Sequence, residues 1–357
     1  MGIAGTQTTP RPDSGKLAGV QAARGIAALM VVVYHATRAI SLPQYIGYVP
    51  FGNAFGFGHA GVDFFFVLSG FIITYAHAAD VGRPDRTPRY LWRRVTRIYP
   101  IYWFVTGIEI ARALFAPDAA ARLAPMHLLN SLLLLPARAD PIVGVAWTLK
   151  SEMLFYIVFA LAIIERRFCK PLLAGTLLLV LAGAAVAPEA PLLRLLVSPF
   201  NIEFLMGIAA ARWLASHRTA RPAAVAALGA VLFLIAGVLE LQGIVPLNGL
   251  PGRALYGSAS VAILLGLVEL ERGGTLRLGN IGLMFGDSSY CLYLIHLTVV
   301  TIAIRIGAHF GVLAAVPAGV AIAMLGALAI GAAVMLHVGV EGPLMRWIRR
   351  RTPRLCR

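Results

Sequence analysis

Apolar stretches of about 20 residues recur along the whole chain, parted by short polar segments. This pattern predicts ten membrane helices, at 20–41, 60–79, 98–116, 146–164, 171–187, 197–214, 223–242, 254–270, 282–306 and 312–340. A shorter apolar run at 124–135 is bracketed by Pro125 and Pro136. It is too short to span and is expected to lie at the interface or to re-enter. Strands of a membrane barrel would alternate over about 10 residues, and no such alternation is present. No repeat at a fixed period is evident, and no segment between the helices is long enough for a second domain. The expectation is an all-α, polytopic integral membrane protein, a single domain over 1–357. It would carry an N-terminal tail at 1–19, a basic tail at 341–357 and no fused extracytoplasmic domain.

Composition agrees with this reading. Of 357 residues, 59% are hydrophobic and 13% charged, and the mean hydropathy is +0.79. Soluble domains lie near 45–50% apolar and about 25% charged, so a soluble enzyme and a disordered chain are both excluded. The net charge of +15 raises the question of nucleic acid. The basic residues, however, fall in clusters between apolar segments, such as Arg83 to Arg97 and Arg346 to Arg351. Charge placed in this way orients membrane helices and meets lipid, so no nucleic-acid partner is expected. With the N-terminus inside, every inner loop is basic, which predicts both termini in the cytoplasm. The first apolar run is too long for a cleaved signal and reads as a retained anchor. Cys169, Cys291 and Cys356 are scattered, giving neither a disulfide framework nor a metal-binding spacing.

Ionisable groups inside spanning helices are costly and usually face a cavity or a partner. The first helix carries Arg24 and His35. Eleven helical steps put them on one face, about 16 Å apart along the axis. On spacing alone, His35 fits a structural histidine as well as a functional one. Asp63 lies at the outer end of the second helix, where an ion pair with Arg38 or a helix-terminal charge would account for it. Ser69 and Gly70 suit close helix packing. Arg94 and Arg97 share a face at the inner end of the third helix and suit phosphate, or else lipid headgroups. Thr148, Glu152 and Tyr156 make one stripe on the fourth helix, behind Trp147, which fits an interfacial belt residue. Ser289, Tyr293 and His296 make another on the ninth. The result is an arginine layer at the inner face and a layer of His, Asp, Glu and Tyr farther out. Such layering suits an anionic carrier that enters from the cytoplasm and presents its reactive end deeper in the membrane.

These residues carry a resemblance. Gln21-Ala22-Ala23-Arg24-Gly25 through His35, Gly61-Val62-Asp63-Phe64-Phe65-Phe66-Val67-Leu68-Ser69-Gly70-Phe71 and Arg94-Val95-Thr96-Arg97 with Tyr99-Pro100 come first. Trp147-Thr148-Leu149 with Glu152 and Tyr156, then Ser289-Tyr290 with Tyr293 and His296, follow in order. The chain resembles the acyltransferase 3 family of integral membrane O-acyltransferases, in particular its bacterial exopolysaccharide-acetylating members. The resemblance implies transfer of an acyl group, typically acetyl from cytoplasmic acetyl-CoA, to a hydroxyl of an exported or surface glycan at the bacterial inner membrane. His35 falls on the family's key histidine, Arg24 on its paired arginine, and Arg94 and Arg97 on its arginine pair.

A mechanism follows as an expectation. Arg94 and Arg97, with Arg24, would hold acetyl-CoA, and His35 would act as general base on the acceptor hydroxyl. A transient acyl-enzyme is the alternative. Asp63 or Glu152 would orient the imidazole. Trp147, Tyr156, Tyr293 and His296 would line the substrate site, with Tyr or Trp donors to the oxyanion. No metal is expected. The rival reading is a proton-coupled transporter of a small molecule or glycan intermediate. The absence of two matching broken helices and the one-sided arginines weigh against it.

Overall fold

Prolines and glycines punctuate the apolar runs, and the runs between them fold as helices. The computed structural model describes residues 17–116, 118–186, 188–244, 249–276 and 279–352. Among the described residues there is no strand. The helices in chain order are α1 (Ala18–Ile40), α2 (Gly61–His77), α3 (Thr87–Ala113) and the short α4 (Pro125–Leu133). After them come α5 (Trp147–Ile164), α6 (Cys169–Gly183), α7 (Asn201–Ser216), α8 (Pro222–Leu241) and α9 (Leu250–Arg272). The last are α10 (Asn280–Asp287), α11 (Ser289–His309), α12 (Ala318–Leu336) and α13 (Gly342–Arg351). The architecture is therefore all-α and polytopic, and α4 occupies the run that was too short to span.

Eight stretches among the described residues are long and apolar enough to cross a membrane. The other two predicted spans form helices of a different kind. Helix α3 has 27 residues but opens with Arg89, Arg93, Arg94 and Arg97. Helix α6 has 15 residues, short of the ~20 that a bilayer core requires.

Three boundaries depart from the sequence pattern. Helix α3 begins eleven residues ahead of the expected 98, with Pro88 in its first turn. Proline is favoured there because its missing N–H would be unpaired anyway. The arginine pair therefore lies within the helix. The predicted ninth span, 282–306, is broken into α10 and α11. At the break the Ser288 and Ser289 hydroxyls donate to the Phe285 and Gly286 carbonyls, at 3.2 and 2.6 Å, competing with the helical ladder. The tenth begins after Pro317, passes through a π-helical turn at His337–Glu341, and continues as α13 into the stretch expected to be a basic tail. Thr352 accepts a hydrogen bond from the Trp92 indole at 3.2 Å and ties this end to α3.

Helix α1 packs against α2, α10 and α11, and more lightly against α9 and α12. Helices α2 and α7 approach closely, because a Cβ on Gly70 would meet the Phe204 carbonyl and one on Gly207 the Val67 carbonyl. Small residues of this kind allow backbones to touch inside a membrane. The largest buried cluster draws Val31, Phe66, Tyr102, Leu149, Tyr156 and Leu292 together from α1, α2, α3, α5 and α11. These five helices also supply the polar residues of the site.

Candidate active site

A narrow cleft of about 90 Å³ opens among α1, α2, α3, α5 and α11. Its lining includes Arg24, Arg94, Arg97, Glu152, Tyr156 and Tyr293, so six of the ten residues singled out in the sequence meet in one space. Burial deepens along the arginines: Arg97 is exposed, Arg94 half-buried and Arg24 buried. The Arg24 guanidinium donates to Gln21 at 2.6 Å, a bond within its own helix. Arg94 lies over the Tyr90 and Tyr156 rings, 5.9 and 5.7 Å from their centroids, a cation–π arrangement that fixes the fork without neutralising it.

Glu152 accepts hydrogen bonds from the Ser69 hydroxyl, at 3.2 Å, and from the Tyr156 hydroxyl. Ser69, read as a packing residue, is thus a polar contact of the cleft, while its neighbour Gly70 does the packing. Thr148 and Tyr293 join their hydroxyls at 2.9 Å, and Tyr293 also reaches the Val145 carbonyl at 3.1 Å. Ser289 completes this wall. Trp147 stands outside the lining, half-buried against Phe66 and Phe200 with ring centroids 6.3 and 5.2 Å away.

His296 follows Tyr293 by one helical turn and is fully buried. Its Nδ1 lies 2.8 Å from the Tyr293 carbonyl and 3.1 Å from the Leu292 carbonyl. Carbonyls only accept, so Nδ1 carries the proton, and in the neutral ring Nε2 is an acceptor. The atom 3.1 Å from that Nε2 is Nδ1 of His35, which also lies 2.9 Å from the Val31 carbonyl. His35 therefore donates from Nδ1, and its Nε2 keeps a free lone pair. His35, expected as the general base, and His296, expected at the substrate site, thus form a pair.

Asp63 is engaged elsewhere. Both its oxygens receive Nη1 of Arg253 at 2.5 Å, with Asp63 fully buried and Arg253 nearly so. Arg253 takes the place that Arg38 held in the sequence reading. Glu203, also fully buried, lies against Asp63. Beside this cluster Glu240 accepts from His59 at 2.8 Å and from Tyr256 at 2.6 Å. Glu109 is held by Arg112 at 2.5 Å and by Thr298 at 2.5 Å. Near the π-helical turn, Cys291, His337 and Glu341 bring one ligand-type atom each within 4.8 Å of one another. Glu341 already accepts there from the Cys291 thiol at 3.1 Å and from His337 at 2.7 Å.

His35 and His296 lie outside the lining, with the His296 ring 6.1 Å from that of Tyr293. Graded arginines in a cleft with a paired imidazole behind its wall suit group transfer from an anionic donor inside a membrane. Comparison with known proteins agrees. Residues 17–336 match the family model described as an acyltransferase domain, and the chain belongs to this acyltransferase 3 family of membrane O-acyltransferases. The exopolysaccharide production protein ExoZ of Rhizobium meliloti (strain 1021) is 34% identical over 311 residues, 84% of this chain and 93% of the relative. The acyltransferase MdmB of Streptomyces mycarofaciens is 27% identical over 380 residues, 96% of this chain and 95% of the relative. Protein 2 in the picA locus of Rhizobium radiobacter is 29% identical over 162 residues, 38% of this chain and 77% of the relative. No solved structure matches the chain. The transporter reading is set aside by the family.

Proposed function

We propose that this enzyme moves an acetyl group from cytoplasmic acetyl-CoA to a hydroxyl of an exported or cell-surface polysaccharide, or of its lipid-linked precursor, in the bacterial inner membrane. The observation that carries the reading is the convergence of Arg24, Arg94 and Arg97 on a cleft lined by Tyr293, whose ring lies 6.1 Å from that of His296 in the His296–His35 pair. A glycan acceptor is supported by the exopolysaccharide production named for the 34%-identical relative.

In this mechanism Arg94 and Arg97 bind the donor's phosphates through charge-assisted hydrogen bonds. Arg24, buried farther in, steadies the thioester end. His35 removes the proton from the acceptor hydroxyl through Nε2, and the oxygen attacks the thioester carbonyl. The carbon–sulfur bond then breaks, and the thiolate takes the proton back from the imidazolium. His296 accepts from Nδ1 of His35 and keeps the ring in the productive tautomer. The Tyr293 hydroxyl, beside Thr148, turns its proton from the Val145 carbonyl to the oxyanion as charge develops there. Membranes holding the protein should pass radiolabelled acetyl from acetyl-CoA to glycan, and membranes lacking it should not. Equal labelling in both would remove the proposal.

Arg94→Ala and Arg97→Ala should each weaken acetyl-CoA affinity by about tenfold, the worth of one charge-assisted contact of about 1.5 kcal/mol. Lysine at either position should restore part of it, as a point charge without the planar fork. Titration calorimetry checks this, and unchanged affinity in both alanine variants would reduce the pair to a topology signal.

The proposed orientation places both termini in the cytoplasm. An impermeant thiol reagent applied to intact cells should then leave Cys169, which is half-buried, unlabelled, and the fully buried Cys291 as well. Cys356 carries the same expectation from its basic segment but lies outside the described residues. Strong labelling of Cys169 from outside would invert the topology.

A further inference from the structure

A second cavity is much wider than the candidate cleft. It holds about 780 Å³ between α5, α6 and α7, beside the end of α2. The aromatic wall of Phe66, Phe204 and Phe155 separates the two spaces, with the last two rings stacked at 4.4 Å. Phe66 faces the cleft, while Phe155 and Phe204 face the cavity.

The cavity exists because α6 is short and scarcely packed: Val180 is its one buried residue. Its walls are aliphatic and aromatic side chains, including Leu154, Val158, Leu173 and Leu179. One end is different. Arg166, Arg167, Lys170 and Arg212 gather where α5 ends, α6 begins and α7 nears its end. Among the described residues the carboxylate beside this group is Glu165, 3.5 Å from Arg167. Three positive charges are left over at the rim of a largely apolar space between membrane helices.

We propose that this cavity binds one anionic phospholipid, its headgroup phosphate on Arg166, Lys170 and Arg212 and an acyl chain along α5, α6 and α7. Water is a poor occupant of most of this space, since beyond Thr74, Thr176 and Asn201 the walls away from the basic rim are largely apolar. A zwitterionic lipid would fill the walls equally well but would leave the basic rim uncompensated. Basic pockets between membrane helices at a membrane face select acidic headgroups for this reason.

The test is native mass spectrometry of the full chain in detergent, with phosphatidylglycerol and phosphatidylcholine added at equal concentration. The wild type should retain phosphatidylglycerol preferentially. Lys170→Gln with Arg212→Gln should lower that retention on the order of tenfold and leave phosphatidylcholine unchanged. Thr176→Trp, which fills the cavity, should lower both. Glycerol 3-phosphate, the same phosphate without chains, should not displace the lipid. Elution at the wild-type position and retained acyl transfer show that the variants are folded. If Thr176→Trp fails this control, the charge variant decides alone. Equal retention of the two lipids by the wild type, an unaltered preference in the charge variant, or displacement by glycerol 3-phosphate would each overturn the proposal.

Discussion

Replacing His35 by alanine is expected to lower acyl transfer by about 10²- to 10⁴-fold, the usual worth of a positioned general base. The protein should stay inserted and folded, because His35 is only half-buried and an alanine there removes no charge. His296→Ala should have a smaller effect. It removes the group 3.1 Å from Nδ1 of His35, so the base is misaligned but not lost. If His35→Ala stays near normal and His296→Ala is inactive, the roles are exchanged. If neither change alters turnover in folded protein, the histidine-base mechanism goes. Initial rates in membranes with labelled acetyl-CoA give the answer.

Arg253→Met should destabilise the protein by about 3–5 kcal/mol, the loss found when one partner of a buried pair is removed. It leaves Asp63, which has no solvent exposure, beside Glu203 without the Arg253 guanidinium. The double variant with Asp63→Asn should recover a large part of the loss, since the Asp63 charge is then gone and Glu203 keeps an amide beside it. Thermal unfolding in detergent, followed by loss of the monodisperse fraction, measures both. A single variant that melts with the wild type would show that the pair holds nothing together. The experiment also separates roles for Asp63. A structural partner of Arg253 lowers the folded fraction and leaves the activity of folded molecules intact, whereas a group that orients His35 lowers activity as well.

Much of this arrangement was legible because helical periodicity fixes which residues share a face. Thr148, Glu152 and Tyr156 were expected as one stripe, and all three line the cleft. Arg24 and the Arg94–Arg97 pair were expected in one layer, and all three line the same cleft. Periodicity does not say which helix stands opposite. Asp63 and Arg253 are 190 residues apart in sequence, and nothing local in either helix announces the other. The same holds for His35 and His296, 261 residues apart. One was expected as the base and the other at the substrate site, and only the packing of α1 against α11 makes them a pair. The break at Ser288 was missed for a different reason. An apolar run looks continuous even where two serines turn their hydroxyls back onto the ladder.

The imidazole pair has an electrical consequence. With both rings neutral at rest, no net charge of the pair sits in the membrane field. Deprotonation of the acceptor by His35 shifts a proton across one hydrogen bond, about 3 Å of a hydrocarbon core about 30 Å thick. A potential of 100 mV acts on a full crossing with about 2.3 kcal/mol, so the tenth part traversed here amounts to about 0.2 kcal/mol. The chemical step should therefore run at nearly the same rate in energised and depolarised vesicles. Coupling to voltage, if any is measured, would have to come from the arrival of the acceptor and not from the transfer itself.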